Sequence, residues 1–215
     1  MSAVAATKLQ VAEDRGSVLE LYRDDGPLAT VIGAALGRRI RLVPIVFLLA
    51  AGLPLALAIL LAGDGASEGL IAGVVAWVVL AGGLAAGRPL TDKLRWTSPP
   101  ALRAIEYAAL LWIGAVADAL PATFALLAAI TYHHYDTVYG FRHRGVAQPG
   151  WVKAGGWDGR LVLAVVLLVA GALPAAFWIL ATLLAVLFVS ASVAEWRRFR
   201  LGEQPAYDDE EDEAD

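Results

Sequence analysis

Residues Val43 to Ala62 read VPIVFLLAAGLPLALAILLA, with no charged side chain at any position. The hydrocarbon core of a bilayer is about 30 Å thick and needs roughly twenty apolar residues of helix to cross it. This stretch is therefore read as a membrane span, with Pro44 and Pro54 tolerated where neighbouring helices satisfy the freed carbonyls. Outward from it, the same criterion marks further apolar runs near Gly69 to Gly87, Ala101 to Ala117, Pro121 to Tyr139, Leu161 to Leu173 and Pro174 to Ala194.

The cations orient these runs. All seventeen Lys and Arg residues fall before the first run, between the second and third, between the fourth and fifth, or after the sixth, counting Arg103 and Arg160 at their edges. The three remaining turns carry none. Positive residues are retained in the cytoplasm, so an even number of spans with both ends inside accommodates every cation at once. The expected fold is an all-α integral membrane protein: six transmembrane helices preceded by a short interfacial amphipathic helix, with both termini cytoplasmic and the chain in the plasma (inner) membrane.

Composition agrees with this class. The 215 residues are 59% hydrophobic and 18% charged, against about 45–50% apolar in an ordinary soluble domain. Six spans leave no room for a separate soluble enzyme domain. The net charge of -4 hides a one-sided distribution, because seven acids lie between Asp208 and Asp215. Without them the chain is mildly basic, which suits a face toward anionic headgroups. The absence of cysteine excludes disulfides, thiolate metal sites and a thiol nucleophile. Residues before Val43 lack the apolar centre of a cleavable signal. There is no serine-centred elbow and no basic stripe with interleaved aromatics, so nucleic acid is not an expected partner.

The chain divides into a mobile N-terminal segment (1–23), an interfacial helix (24–42), a six-helix membrane domain (43–200) and a disordered acidic tail (201–215). Asp24-Asp25-Gly26-Pro27 reads as a helix start, with an acidic cap and proline in the first turn. The following helix either lies on the cytoplasmic leaflet or simply leads into the first span. Gly69, Gly73, Gly82, Gly83 and Gly87 let other helices approach the second span closely, placing it inside the bundle. Trp96, Trp151, Trp157 and Trp196 are read as interfacial anchors at the inner boundary.

Two places interrupt the apolar pattern, and ionisable groups at membrane depth are costly unless paired or hydrated. The first is Arg103-Ala104-Ile105-Glu106-Tyr107, where Arg103 and Glu106 share a helical face. The second is Tyr132-His133-His134-Tyr135-Asp136-Thr137-Val138-Tyr139, where His133 and Asp136 share one. Glu106 is twelve residues before Asp118, and His133 is twelve after Pro121. A tight turn between those two points brings the clusters to one depth on antiparallel neighbours.

Glu106, His133 and Asp136 are the candidate catalytic residues and the candidate ligands of a hard divalent cation, Mg²⁺ or Mn²⁺. Arg103, Arg142, Arg160, Tyr132 and Tyr139 are the candidate substrate-binding residues, the arginines neutralising phosphate. Arg88, Lys93, Arg95 and Lys153 add charge in the same loops. Interfacial anchoring of Tyr and His is the alternative for the second cluster. Gly155-Gly156-Trp157-Asp158-Gly159-Arg160 and Asp92-Lys93 are secondary candidates, either turns or places where backbone amides approach a phosphate. A Walker-type lysine followed by Ser or Thr is absent from both.

Tyr22-Arg23-Asp24-Asp25-Gly26-Pro27-Leu28-Ala29, Arg103 to Tyr107, YHHYDTVY from Tyr132 to Tyr139, and Gly155-Gly156-Trp157 together resemble an actinobacterial membrane domain of unknown function (domain of unknown function 5941). In longer chains that domain typically follows nucleotidyltransferase and CDP-alcohol phosphotransferase modules. The resemblance implies work in or beside phospholipid synthesis of the CDP-alcohol phosphotransferase type. The aspartates of the phosphotransferase signature itself, D-x2-D-G-x2-A-R followed by G-x3-D-x3-D, are missing here, so that catalytic apparatus is not carried over. The functional expectation is a cytoplasm-facing polar site for an anionic lipid or phosphorylated headgroup. Its alternative is a non-catalytic scaffold for a membrane phosphotransferase partner. A small transporter is third, since the first, second, fifth and sixth spans carry no charge at the midplane.

Overall fold

A computed structural model describes residues 19, 22–40, 42–88, 90, 93–144 and 155–200; side chains at 38, 95, 140–144, 195 and 198–200 are not described. The expectations for the mobile segment up to residue 18, for Asp92, Trp151, Lys153 and the acidic tail, and for the side chain of Arg142, lie outside the described residues.

Among the described residues the secondary structure is helical throughout. The helices are α1 (Pro27–Ala35), α2 (Pro44–Ala62), α3 (Glu68–Ala86), α4 (Ser98–Val116), α5 (Leu120–Arg144), α6 (Gly156–Val169) and α7 (Leu173–Arg200). Each apolar run of the sequence corresponds to one helix, with its main differences at the cytoplasmic ends predicted for the last three. There α5 continues past Tyr139, α6 begins before Leu161 and α7 continues past Ala194. Helix propensity and hydrogen bonding carry a helix on where hydropathy stops.

Among the described residues three segments are long and apolar enough to cross a membrane: Pro44–Gly65, Glu68–Ala86 and Leu173–Ala194. The others fall short for different reasons. Helix α6 has 14 residues, or roughly 21 Å at 1.5 Å per residue. Helix α4 carries Arg103 and Glu106 in its first half, and α5 ends in a polar run.

Helix α3 packs against α1, α2, α4 and α6, with Leu70, Trp77 and Leu80 left exposed. The glycine stripe accounts for this packing only at its C-terminal end. A Cβ on Gly82 would meet the Trp157 ring at 2.6 Å, one on Gly83 would meet Ile32 at 2.9 Å, and one on Gly87 would run into the Gly33 carbonyl oxygen. Gly69 and Gly73 face open space. Close approach is thus concentrated where α1 crosses α3, and α1 is docked by Ala29 and Gly33, both buried, while Leu28, Val31 and Leu36 point outward.

The start of α1 corrects the expected acidic cap. Pro27 is in the first turn as expected, but the N-cap is Gly26 and no cap side chain of its own accepts a bond. The acceptor comes from α6 instead. Asp158, fully buried, accepts from the amides of Gly26 (2.7 Å), Leu28 (2.9 Å) and Ala29 (3.1 Å). A carboxylate at this position satisfies orphan donors and opposes the positive end of the helix dipole.

Trp157 is a second correction. It is not an interfacial anchor: it is fully buried, with its indole N–H donating to Asp25 Oδ1 at 3.0 Å. Trp96 and Trp196 are exposed.

Candidate functional site

The turn between α4 and α5 is as tight as the spacing argument requires. Asp118 takes a left-handed φ of 51° and the amide of Ala119 donates to Gly114 at 2.8 Å. A Cβ on Gly114 would collide with Thr123 Oγ1, so the two helices lie against each other from their first turn. At the far end Tyr107 Oη is 2.8 Å from His134 Nδ1. The two polar interruptions are therefore at one depth, and His134 rather than His133 makes the link.

Glu106 is fully buried beneath this link. Its Oε1 accepts from Arg160 Nε at 2.7 Å and its Oε2 from Arg103 Nη1 at 3.3 Å. Arg160 turns its Nη2 to Asp24 Oδ2 at 2.8 Å. The same oxygen of Asp24 is 3.9 Å from Arg103 Nη1 and 3.5 Å from His134 Nε2. That imidazole nitrogen is buried, and at this distance the contact is at most a long, weak hydrogen bond. Arg103 also donates to the Tyr22 carbonyl at 2.6 Å. Four charges from the N-terminal segment, α4 and α6 thus form one buried network in which opposite signs alternate.

The N-terminal segment is held by more than charge. Arg23, buried, donates to the Ala85 carbonyl at 3.0 Å and pairs with Asp25 at 3.3 Å. The Trp157 amide donates to the Asp24 carbonyl at 3.2 Å. Gly155 and Gly156 have φ of 83° and 69°; a Cβ on Gly156 would meet Gly26 Cα at 2.5 Å and the Asp24 oxygen at 2.7 Å. Of the two readings of this glycine stretch the structure shows the turn, one that lets the backbone of residues 24–26 approach.

Burial opposes ionisation of Asp24, but His134, Arg160 and Arg103 outweigh it and hold its carboxyl well below the usual carboxylate range. It is an anion at neutral pH.

His133 and Asp136 face a different neighbour. The His133 ring stacks on Phe188 of α7 with centroids 4.2 Å apart, its Nδ1 buried and without a partner. Asp136 Oδ1 accepts from Ser192 of α7 at 3.0 Å. These two side chains bind α5 to α7, while His134 turns toward α4. The expected metal triad of Glu106, His133 and Asp136 is accordingly not assembled: among the described residues no three His, Asp or Glu side chains form a group that could hold a metal ion. Both oxygens of Glu106 are engaged by guanidinium groups, which compete directly with a cation.

Of the residues expected to bind substrate, Arg103 and Arg160 converge on Glu106 and Asp24. Tyr132 is exposed outside the cluster, and Tyr139 stacks on Tyr135 at 5.8 Å. Asp24, His134 and Tyr107 join the site without having been singled out by spacing, and Asp158 acts as a helix cap rather than as part of a phosphate cradle. Asp24 had been assigned to a helix cap, and no spacing rule links it to residues 79 to 136 positions away. The available signal was the adjacent pair Asp24-Asp25 beside Arg23.

No curated protein and no solved structure matches the chain. A family model does match, over residues 14–215, so it takes in Asp24, α1 and all the helices that build the network. The chain belongs to this family, the family of unknown function DUF5941.

Proposed function

We propose that this chain is a plasma-membrane protein of six spans, both termini cytoplasmic, whose inner-face polar site takes an anionic lipid or phosphorylated headgroup, working in or beside phospholipid synthesis of the CDP-alcohol phosphotransferase type. One observation supports it above the rest: Arg103 from α4 and Arg160 from α6 converge on common carboxylates. Paired guanidinium groups present forked donors suited to phosphate oxygens. Arg39, in the turn after α1, and Lys93, in the loop before α4, are exposed, and cations on an inner face attract anionic headgroups. In this reading Arg103 and Arg160 bind, His134 and Tyr107 supply hydrogen-bonding groups, and Glu106 holds the two arginines in place.

The test is native mass spectrometry of the full chain purified in detergent. Retained anionic phospholipid in the wild type and its loss in Arg103→Gln support the reading; a lipid-free wild type that takes up none on titration overturns it. Topology is tested separately by single cysteines introduced into this cysteine-free chain at Asp64, Lys93 and Asp118. Impermeant thiol reagents applied outside should label positions 64 and 118 and leave position 93 unlabelled.

A scaffold reading has its own support, because the four charges of the network already have partners within the chain. It predicts a purified chain with no bound lipid and co-purification of a membrane phosphotransferase from native membranes.

A further inference from the structure

We infer that Asp24 is a resident stand-in for the ligand: its carboxylate fills a seat built for a singly charged phosphodiester, and the segment 22–26 must lift for that ligand to enter. The inference rests on the headgroup-site reading above and adds to it the occupant, the third donor and the charge of the ligand.

A single oxygen, Asp24 Oδ2, is approached by Arg160 Nη2 at 2.8 Å, His134 Nε2 at 3.5 Å and Arg103 Nη1 at 3.9 Å. These groups come from three helices, and Asp24 belongs to none of them. With the residue in place its charge and that of Glu106 cancel the two arginines. Without it one positive charge remains in a pocket whose carboxylate, Glu106, is fully buried. One phosphodiester anion restores neutrality, whereas a phosphate monoester at neutral pH carries close to two charges and overfills it. The imidazole Nε2 of His134 is buried and stands 3.5 Å from Asp24 Oδ2, too long for a well-formed hydrogen bond. A carboxylate offers two acceptor oxygens and a phosphodiester more distributed ones, so the third donor is better used by the larger anion.

Asp24 ends the helical turn at residues 22–23, where a left-handed residue is common. Asp24 has φ of 54°, a left-handed conformation that side-chain-bearing residues other than Asn and Asp seldom adopt. The contacts of its neighbours are separable from the seat: Asp25 pairs with Arg23 and Trp157, and Gly26 is capped by Asp158.

The chemistry is shared by a phospholipid headgroup and by free phosphate in its monoanionic form, and the experiment separates the two. Full-length wild type, Asp24→Asn, Asp25→Asn and Asp24→Asn/Arg103→Gln are purified in detergent. Each is titrated with phosphatidylglycerol, with phosphatidylcholine and with inorganic phosphate, with bound lipid counted by native mass spectrometry and phosphate by calorimetry. Asparagine retains the left-handed backbone and removes only the charge. Asp24→Asn should bind phosphatidylglycerol at least roughly tenfold more tightly than wild type, the equivalent of one lost charged competitor. Asp25→Asn, which loosens the segment's hold on Arg23 and Trp157 without vacating the seat, should gain less than Asp24→Asn, the double variant should lose the gain, and phosphatidylcholine should distinguish none of them. A gain for inorganic phosphate alone keeps the seat and assigns it to a soluble anion, overturning the lipid source.

Equal, tight phosphatidylglycerol binding by wild type and Asp24→Asn, lost on Arg103→Gln, leaves the headgroup site standing and overturns Asp24 as its occupant. No binding by either overturns both. Should Asp24→Asn fail to fold, hydrogen exchange on the wild type decides: phosphatidylglycerol, and not phosphatidylcholine, should deprotect the amides of Gly26 and Trp157, which close the segment onto α6. Unchanged protection overturns the lifting segment.

Discussion

Replacing Arg160 by Met removes one cation from a network of two cations and two anions. Arg160 is 7% exposed, Glu106 0% and Asp24 3%, so neither carboxylate can turn to bulk water. Removing one member of a buried pair costs about 3–5 kcal/mol, chiefly through the charge left without a partner. Arg103 still reaches both carboxylates, at 3.3 Å and 3.9 Å, which places the expected loss near the lower end, about 3 kcal/mol. Arg160→Met/Glu106→Met removes one charge of each sign and leaves Arg103 facing Asp24. It should recover most of the loss, because apolar side chains of similar volume replace a buried ion pair at little cost. The coupling from the double-mutant cycle should be about 2–3 kcal/mol. The assay is reversible unfolding in mixed micelles followed by tryptophan fluorescence, with Trp157 reporting from beside Asp25. A loss below about 1 kcal/mol for Arg160→Met, as at a solvated surface pair, would refute the buried network.

Three further outcomes follow from individual contacts. Asp158→Ala frees the amides of Gly26, Leu28 and Ala29 and should cost about 2–3 kcal/mol, with exchange at those amides accelerating in a hydrogen-exchange measurement; Asp158→Asn, which keeps an acceptor, should cost less. Gly87→Ala drives a Cβ into the Gly33 carbonyl and should destabilise by about 1–3 kcal/mol, whereas Gly69→Ala, facing open space, should be neutral or stabilising by up to about 1 kcal/mol, both read as thermal midpoints in detergent. The carboxyl of Asp24 is held below its ordinary value, so its contribution is complete above about pH 4 and disappears as pH falls further; Asp24→Asn should flatten that acidic limb of the stability curve.

The apolar runs and their order were legible because a membrane span needs only length and hydropathy, both local properties. The depth match between Glu106 and the Tyr132–Tyr139 run was legible as well, since a short turn makes residue counting equivalent to measuring height along antiparallel helices. Which of two adjacent histidines faces α4 was not legible. Neighbouring helical residues are rotated by about 100°, and choosing between His133 and His134 requires knowing where α7 lies. Sequence spacing paired His133 with Asp136 correctly as one face, but that face turned out to meet Phe188 and Ser192.

By itself the sequence determined an all-helical chain with membrane-length apolar helices, its charges segregated to alternate connections, and Arg103 beside Glu106. All of these depend on neighbours within a few residues. Tertiary structure alone decided the partners of the buried charges: Arg160 brought to Glu106, Asp24 brought to both arginines, and Asp158 placed at the start of α1. Those contacts join positions 54 to 136 residues apart. The physical reason is that a buried ion pairs with whichever counter-charge the packing delivers, and that packing brings together elements far apart in the chain.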